Sequence, residues 1–308
     1  MRAMATQRSV STGKPYPMRQ ILSVAELSSS AWYDKRPRKG SQRSKPGPRP
    51  YLSDDEVLSE IKAYLRSPDF NSEGYIKIHA RLRRKGLRVG KNRVYKLMQE
   101  ANLLNETIRK TGSGRIHDGS IITERPNTLW ATDGKEFWTE QEGKCHFIGV
   151  IDHFDDQIMS FHLCKKFDRY AAMEPLREAI KNEFGSVDKG VCNGLGIALR
   201  SDHGSQFYSR EYQKELRYLG IDYSPAFVRS PECNGIIERF HRTLNEQIFH
   251  QKRFKSLEQA EREIGIFIKA YNEKWLLHRL GLRSPIEYRE DYMKQNVNEL
   301  EYIFVDYG

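Results

Sequence analysis

Between residues 129 and 224 the apolar residues fall into short runs that fix an order of elements before any residue is singled out. Leu129–Thr132, Phe147–Asp152 and Ile158–Leu163 read as strands, with Asp155 and Asp156 in the turn between the last two. Tyr170–Phe184 then reads as a helix, Ile197–Ser201 as a strand, Arg210–Leu219 as a helix and Ile221–Ser224 as a short strand. A further helix begins near Ser230 or Asn234 and runs through Phe249. Three strands in a meander followed by alternating helix and strand indicate an α/β domain built on a mixed sheet.

Upstream, the period of the apolar residues changes from two to that of a helix. Ser53 is a good N-cap with Glu56 at the capping-box position, and Val57, Ile61 and Leu65 follow. Tyr75, Ile78 and Leu82 make a second stripe ending at Gly86, and Val94, Leu97, Met98 and Ala101 a third. Three short helices with a glycine-containing connection form a helix-turn-helix-like pattern. In that pattern Lys91, Asn92, Arg93 and Lys96 lie near the start of the recognition helix, with Arg81 and Arg84 on the helix before it. An ordinary small bundle with a solvated basic face has the same stripes.

Charge separates these readings. The chain of 308 residues has net charge +10, and the excess sits in its first third. Residues 1–50 carry 11 Lys and Arg against Glu26 and Asp34, and residues 75–110 carry 11 against Glu100 and Glu106. Residues 51–74 and 111–308 are each mildly acidic. Clustered basicity inside a helical pattern is the footprint of a polyanion partner, most often nucleic acid. No apolar run approaches the ~20 residues of a membrane span, and residues 1–20 lack the apolar core of a secretory signal. Cys145, Cys164, Cys192 and Cys233 form no CxxC pair, which argues against a disulfide framework or a zinc module and fits a reducing cytosol.

Three acids stand out by context. Asp133 ends the first strand, Asp202 ends the fourth before His203-Gly204-Ser205, and Glu238 lies on the last helix. If the first and fourth strands are neighbours, their ends lie together and a helix crossing that edge delivers the third carboxylate. Each pair at 4 Å repels by ~4 kcal/mol at an effective dielectric near 20, so such a cluster calls for a divalent cation. All-oxygen donors suit Mg²⁺ or Mn²⁺ rather than zinc. Two such ions ~4 Å apart clamp the attacking and leaving oxygens of a phosphoryl displacement. Taken singly, the two Asp residues also read as turn formers, and Glu238 as half of a helix pair with Arg242.

Together, the segments WATD, RSDHGSQF and RSPECNGIIERF, with 35 residues between Asp202 and Glu238, resemble the Asp–Asp–35–Glu pattern of the DDE transposase and retroviral integrase superfamily. From about Ile21 to Tyr288 the chain is similar to the second-frame (orfB) transposases of bacterial insertion elements of IS-three type, through Tyr75–Leu103, the stretch RPNTLWATD and the tail YNEKWLLHRLGLRSPIEY. The resemblance implies a ribonuclease H-like integrase catalytic core, a mixed five-stranded sheet with helices, behind a small all-α helix-turn-helix-like domain. It implies Asp133, Asp202 and Glu238 as catalytic metal ligands for Mg²⁺ or Mn²⁺, two ions in all, and Arg242 as a DNA contact. It also implies DNA as partner, both element ends and target, an upstream-frame orfA product or frameshift fusion with it, a homo-oligomer on DNA, and a cytoplasmic, nucleoid-associated location.

The expected organisation is a basic flexible arm over 1–50, a DNA-binding domain over 51–110, a linker over 111–125, the catalytic core over 126–292 and a tail over 293–308. Two alternatives stay open: a ribonuclease H-like nuclease that only hydrolyses, and a non-catalytic DNA-binding regulator. Three positions depart from the family pattern. His203 stands where Asn is frequent, Asn245 where Lys is frequent seven residues after the Glu, and Trp275, Leu276 and Leu277 where Arg-Pro-His is usual. Elsewhere, Asp152 has no partner at a fixed spacing, Gly194-Leu195-Gly196 precedes a strand rather than following one, the nine histidines show no ligand spacing, and Cys233 lacks a His or Asn partner. Trp130 and Phe240 read as core residues.

Overall fold

The protein is described by a computed structural model covering residues 6–34, 51–67, 69–70, 73–104, 123–224 and 235–296. The expected linker lies mostly outside the described residues, as do Cys233, the 230–234 helix start and the end of the tail. Two compact units are separated at residue 51. In the first, the segment expected as a flexible arm carries two short helices, α1 (Met18–Val24) and α2 (Ser29–Asp34). Leu22 is buried there, which gives α1 an apolar anchor that net charge alone did not reveal.

In the second unit, α3 (Asp54–Leu65), α4 (Tyr75–Arg84) and α5 (Lys91–Glu100) form the expected three-helix module. Ser53 accepts the Glu56 N–H while Glu56 reaches back to the Ser53 N–H, a complete capping box. The three stripes meet in a core of Val57, Ile61, Ile78, Leu82, Val89, Val94, Leu97 and Met98, each buried side chain contributing ~1.5–3 kcal/mol. Gly86, at φ +87°, turns the chain out of α4, a left-handed conformation that costs glycine little.

The sheet has the order β3-β2-β1-β4-β5, with β1 (Leu129–Thr139), β2 (Gly143–Asp152), β3 (Ile158–Cys164), β4 (Ala198–Arg200) and β5 (Asp222–Tyr223). β1, β2 and β3 are an antiparallel meander, and β4 and β5 run parallel to β1 and to each other. This is the mixed five-stranded sheet that was expected. One correction concerns β1, which does not stop at Asp133. Pairing with β2 continues through Gly134↔Ile148 to Thr139↔Gly143, so Asp133 is a mid-strand residue two positions past the last β4 partner, Ala131↔Arg200. An acid followed by glycine reads as a break. Here the glycine is needed because any Cβ at Gly134 would run into the Phe167 ring.

Alternation along β1 divides the core into two layers. Trp130 faces α6 (Arg169–Phe184) and α8 (Arg210–Leu219), packing among Leu176, Ile180, Leu199 and Leu216. Ala131 and Phe137 face α9 (Gly235–Leu244) and α10 (Leu257–Lys274), among Phe147, Phe240, Ile264 and Tyr271. Trp130 and Phe240 are core residues, as read. α7 (Ser205–Tyr208) fills the turn after β4, a π-helical turn (Asn245–Phe249) extends α9, and α11 (Pro285–Gln295) closes the described chain, crossing the expected border between core and tail at 292. At the margin of the sheet, the Asn272 amide accepts from the Ile158 N–H at 2.9 Å and donates to the Ile158 carbonyl at 2.8 Å.

Asp152, Asp155 and Asp156, read as partnerless or as turn residues, are all buried. Arg289 of α11 pairs with Asp152 at 2.8 Å, with Asp155 and, at 3.2 Å, with Glu183. Arg279 donates to Asp156 at 2.5 Å and to the carbonyls of His153 and Phe154 at 3.0 Å. Burial raises the pKa of all three aspartates, and the arginines pull against it. The partners lie more than a hundred residues away in sequence, beyond the reach of any local spacing rule.

Candidate active site and nucleic-acid interface

Asp202 in the turn after β4 and Glu238 in the first turn of α9 both come within electrostatic reach of Asp133 on β1. Burial raises the Asp133 carboxyl to about 7, and the charges of Asp202 and Glu238 push the same way. The neighbouring-strand premise holds, since β1 and β4 are paired. Backbone amides orient the two aspartates: Asp133 Oδ1 accepts from the Gly134 N–H at 2.7 Å and Asp202 Oδ1 from the Gly204 N–H at 3.0 Å. Among the described residues no three His, Cys, Asp or Glu side chains are drawn into a closed metal cage. The donor set nonetheless fits a hard divalent cation: three carboxylates, one of them raised by burial and then by the charges of the other two, are what a cation would discharge.

Two residues near the triad were not singled out in the sequence. His241, three positions after Glu238, is buried with Nδ1 3.6 Å from Asp133 Oδ2. Burial lowers it to about 4, so it is neutral at pH 7. Lys135, two residues beyond Asp133 on the same face of β1, lowers the pKa of both Asp133 and His241 through its charge. The signal available for both was periodicity, i+3 on the helix and i+2 on the strand. Glu238 and Arg242 are exposed and form no ion pair with each other, so the simple helix-pair reading of Glu238 has no support in the geometry.

The basic residues assigned to DNA divide into two groups. Lys91, Asn92 and Lys96 are exposed along α5. Arg81 is engaged within the chain, bidentate to the buried Glu73 and 3.1 Å from the Lys274 carbonyl. Arg84 donates to both oxygens of Glu287 and to the Leu282 carbonyl at 2.7 Å. Arg93 binds Asp54 and the Leu52 carbonyl. α4 therefore docks on the catalytic domain, and Trp275 is the centre of that dock. Its ring meets Phe70 edge-on at 4.8 Å and has the Lys77 ammonium 3.2 Å from its centroid. The departure at Trp275, Leu276 and Leu277 thus has a physical account: all three are buried, and Trp275 holds the helical module through Phe70 and Lys77.

Comparison with known proteins finds three family models along the chain. Residues 53–111 match the model of an HTH-like domain, residues 134–253 that of the TnsB C-terminal domain and residues 238–293 that of an integrase core domain. Among curated relatives, a protein named as transposase InsK for insertion sequence element IS150 of Escherichia coli (strain K12) is 26% identical over 293 residues, covering 90% of this chain and 95% of the relative. Transposase InsD for insertion element IS2D of the same organism is 28% identical over 246 residues, 77% of this chain and 79% of the relative. Solved structures include the HTLV-2 integrase catalytic core domain in complex with magnesium, with 16% identity, TM-score 0.38 and coverage of 54% of this chain and 98% of that one. A chain of a simian T-cell lymphotropic virus intasome has 15% identity and TM-score 0.44, covering 75% of this chain and 74% of that one.

Proposed function

Because the chain belongs to the DDE transposase and integrase superfamily, alongside insertion-element transposases of IS-three type, we propose that it cuts and joins the DNA strands of its own element with Asp133, Asp202 and Glu238. The carrying observation is that the charges of both Asp202 and Glu238 reach the buried Asp133 carboxyl. It is a polynucleotidyl transferase of DDE type, and its integrase core belongs to a class that depends on divalent metal. Mg²⁺ or Mn²⁺, in a pair, is the cofactor we assign to the triad, and when bound it supplies Lewis-acid stabilisation of the phosphoryl oxygens.

The chain's own residues do the rest. The Gly134 and Gly204 amides set the rotamers of the two aspartates, and His241, neutral and buried, borders Asp133 from the helix side. Lys135 and Arg242 flank the triad with positive charge suited to the phosphates on either side of the scissile bond. Lys91, Asn92 and Lys96 at the start of α5 face the DNA that fixes the position of the cut. The reaction then has two displacements: water attacks a phosphodiester to free a 3′-OH, and that 3′-OH attacks a phosphate of the target strand. An orfA product or frameshift fusion, several copies on one DNA and a nucleoid location complete the proposal.

The test is end cleavage and strand joining with Mn²⁺ by the wild type and by Asp202→Asn and Glu238→Gln. Loss of both reactions with DNA binding retained supports the reading. Hydrolysis by the wild type without joining would point to the nuclease alternative, and no cleavage at all to the regulator.

A further inference from the structure

The turn that carries Asp202 also carries an aromatic pair. His203 Nδ1 and the Tyr208 hydroxyl are 2.6 Å apart, and the two rings lie side by side, 13° from parallel with centroids 5.7 Å apart. Tyr223, on the neighbouring strand, meets the Tyr208 ring edge-on at 5.9 Å and shares a 2.9 Å hydrogen bond with Ser201. Packing does not account for the pair. Phe207, the next residue along, is fully buried and fills the core below, whereas Tyr208 is 46% exposed and His203 is exposed as well. Joined at their edges and close to parallel, the two rings form one nearly flat strip and neither covers the other's face. That free aromatic surface adjoins Asp202, a member of the candidate triad.

Resting on the DNA-cleaving reading above, we propose that His203 and Tyr208 form a stacking platform for one unpaired nucleobase beside the scissile phosphate. A nucleobase is the occupant the chemistry favours, because a flat aromatic surface accepts any base through its π-face. A duplex end offers such a base once one pair is opened, at a cost that is least where the pair is already mismatched. Tyr223 and Ser201 brace the platform from β5 and the end of β4. Tyr208 supplies ring area, and His203 fixes its orientation through the hydrogen bond.

The experiment uses duplex oligonucleotides carrying the terminal repeat of the element that encodes the chain, either fully paired or mismatched at the pair beside the cut. Binding is followed without metal by fluorescence anisotropy, and cleavage with Mn²⁺ at saturating DNA. The wild type is expected to bind the mismatched end about tenfold more tightly than the paired one, and Tyr208→Ala to lose that preference. Tyr208→Ala should also cut the paired end about tenfold more slowly, with most of the deficit recovered on the mismatched end. Tyr208→Phe, which keeps the ring area but loses the hydrogen bond to His203, should fall between wild type and Tyr208→Ala on both, and it guards against an alanine variant that folds badly. A wild type without mismatch preference, or a Tyr208→Ala protein that keeps it, overturns the platform even if cleavage is normal. A mismatch preference that depends on Tyr208 in a protein that cuts no DNA upholds the platform and removes the catalytic reading instead.

Discussion

Lys77 places its ammonium 3.2 Å from the centre of the Trp275 ring, joining the DNA-binding module to the catalytic domain by a cation on an indole face. The contact has two opposing effects. Burial lowers Lys77 to about 7, while the indole quadrupole favours the charged form. In the unfolded chain a lysine titrates near ~10.4, so between about pH 7 and 10 the unfolded state holds more of the proton. Stability therefore rises with pH across that window. Lys77→Met keeps the packing on Trp275 and should abolish the rise, worth about 2 kcal/mol between pH 7 and 9. Urea midpoints of both proteins at the two pH values check this.

Salt dependence should sort the basic residues. Lys91→Ala with Lys96→Ala is expected to lower the log–log salt slope of DNA binding by about 1.8, near 0.9 for each lost phosphate contact. Arg81→Ala and Arg84→Ala should leave the slope unchanged and lower the melting temperature instead, because their guanidinium groups hold Glu73 and Glu287. A lower slope for the arginine variants would return α4 to the DNA surface.

Arg289 is the counter-charge shared by Asp152, Asp155 and Glu183. Arg289→Met leaves buried carboxylates without a counter-charge and should cost about 3–5 kcal/mol, read as a shift of the denaturant midpoint. Adding Asp152→Asn and Asp155→Asn to the same protein should recover part of the loss.

Around the triad, charge reversal of function separates ligand from grip. Glu238→Gln should lose cleavage at every DNA concentration and bind DNA as before. Lys135→Ala and Arg242→Ala should instead raise the DNA concentration needed for half-maximal rate, with much of the maximal rate kept. Rate against DNA concentration distinguishes the two patterns, and wild-type-like curves for Glu238→Gln would sink the third carboxylate.

Much of the fold was legible because its determinants are local. Ser53 and Glu56 announce α3, and the bounds of α8 follow from its apolar stripe alone. β1 was read too short because Asp133-Gly134 looks like a break, and only the Phe167 ring above Gly134 makes the glycine intelligible. The three candidate acids were singled out through their spacing and their flanks. Their surroundings were not, since His241 and Lys135 acquire meaning only when β1 and α9 face each other. The arginines of α4 were misleading for a related reason: an exposed basic stripe and an interdomain latch have the same sequence, and Glu287 lies 203 residues beyond Arg84.

Asn272 has a consequence beyond its two hydrogen bonds. A strand at the rim of a sheet is an open invitation to any other chain that can add itself there. The Asn272 amide answers Ile158 on both its N–H and its carbonyl, as a neighbouring strand would, and the opposite rim ends in a strand of two residues. At Ile158, where β3 begins, an incoming strand finds both backbone groups already taken. The first residue of the edge strand is thereby lost as a docking point for another backbone, and any strand that pairs there must first displace the Asn272 amide.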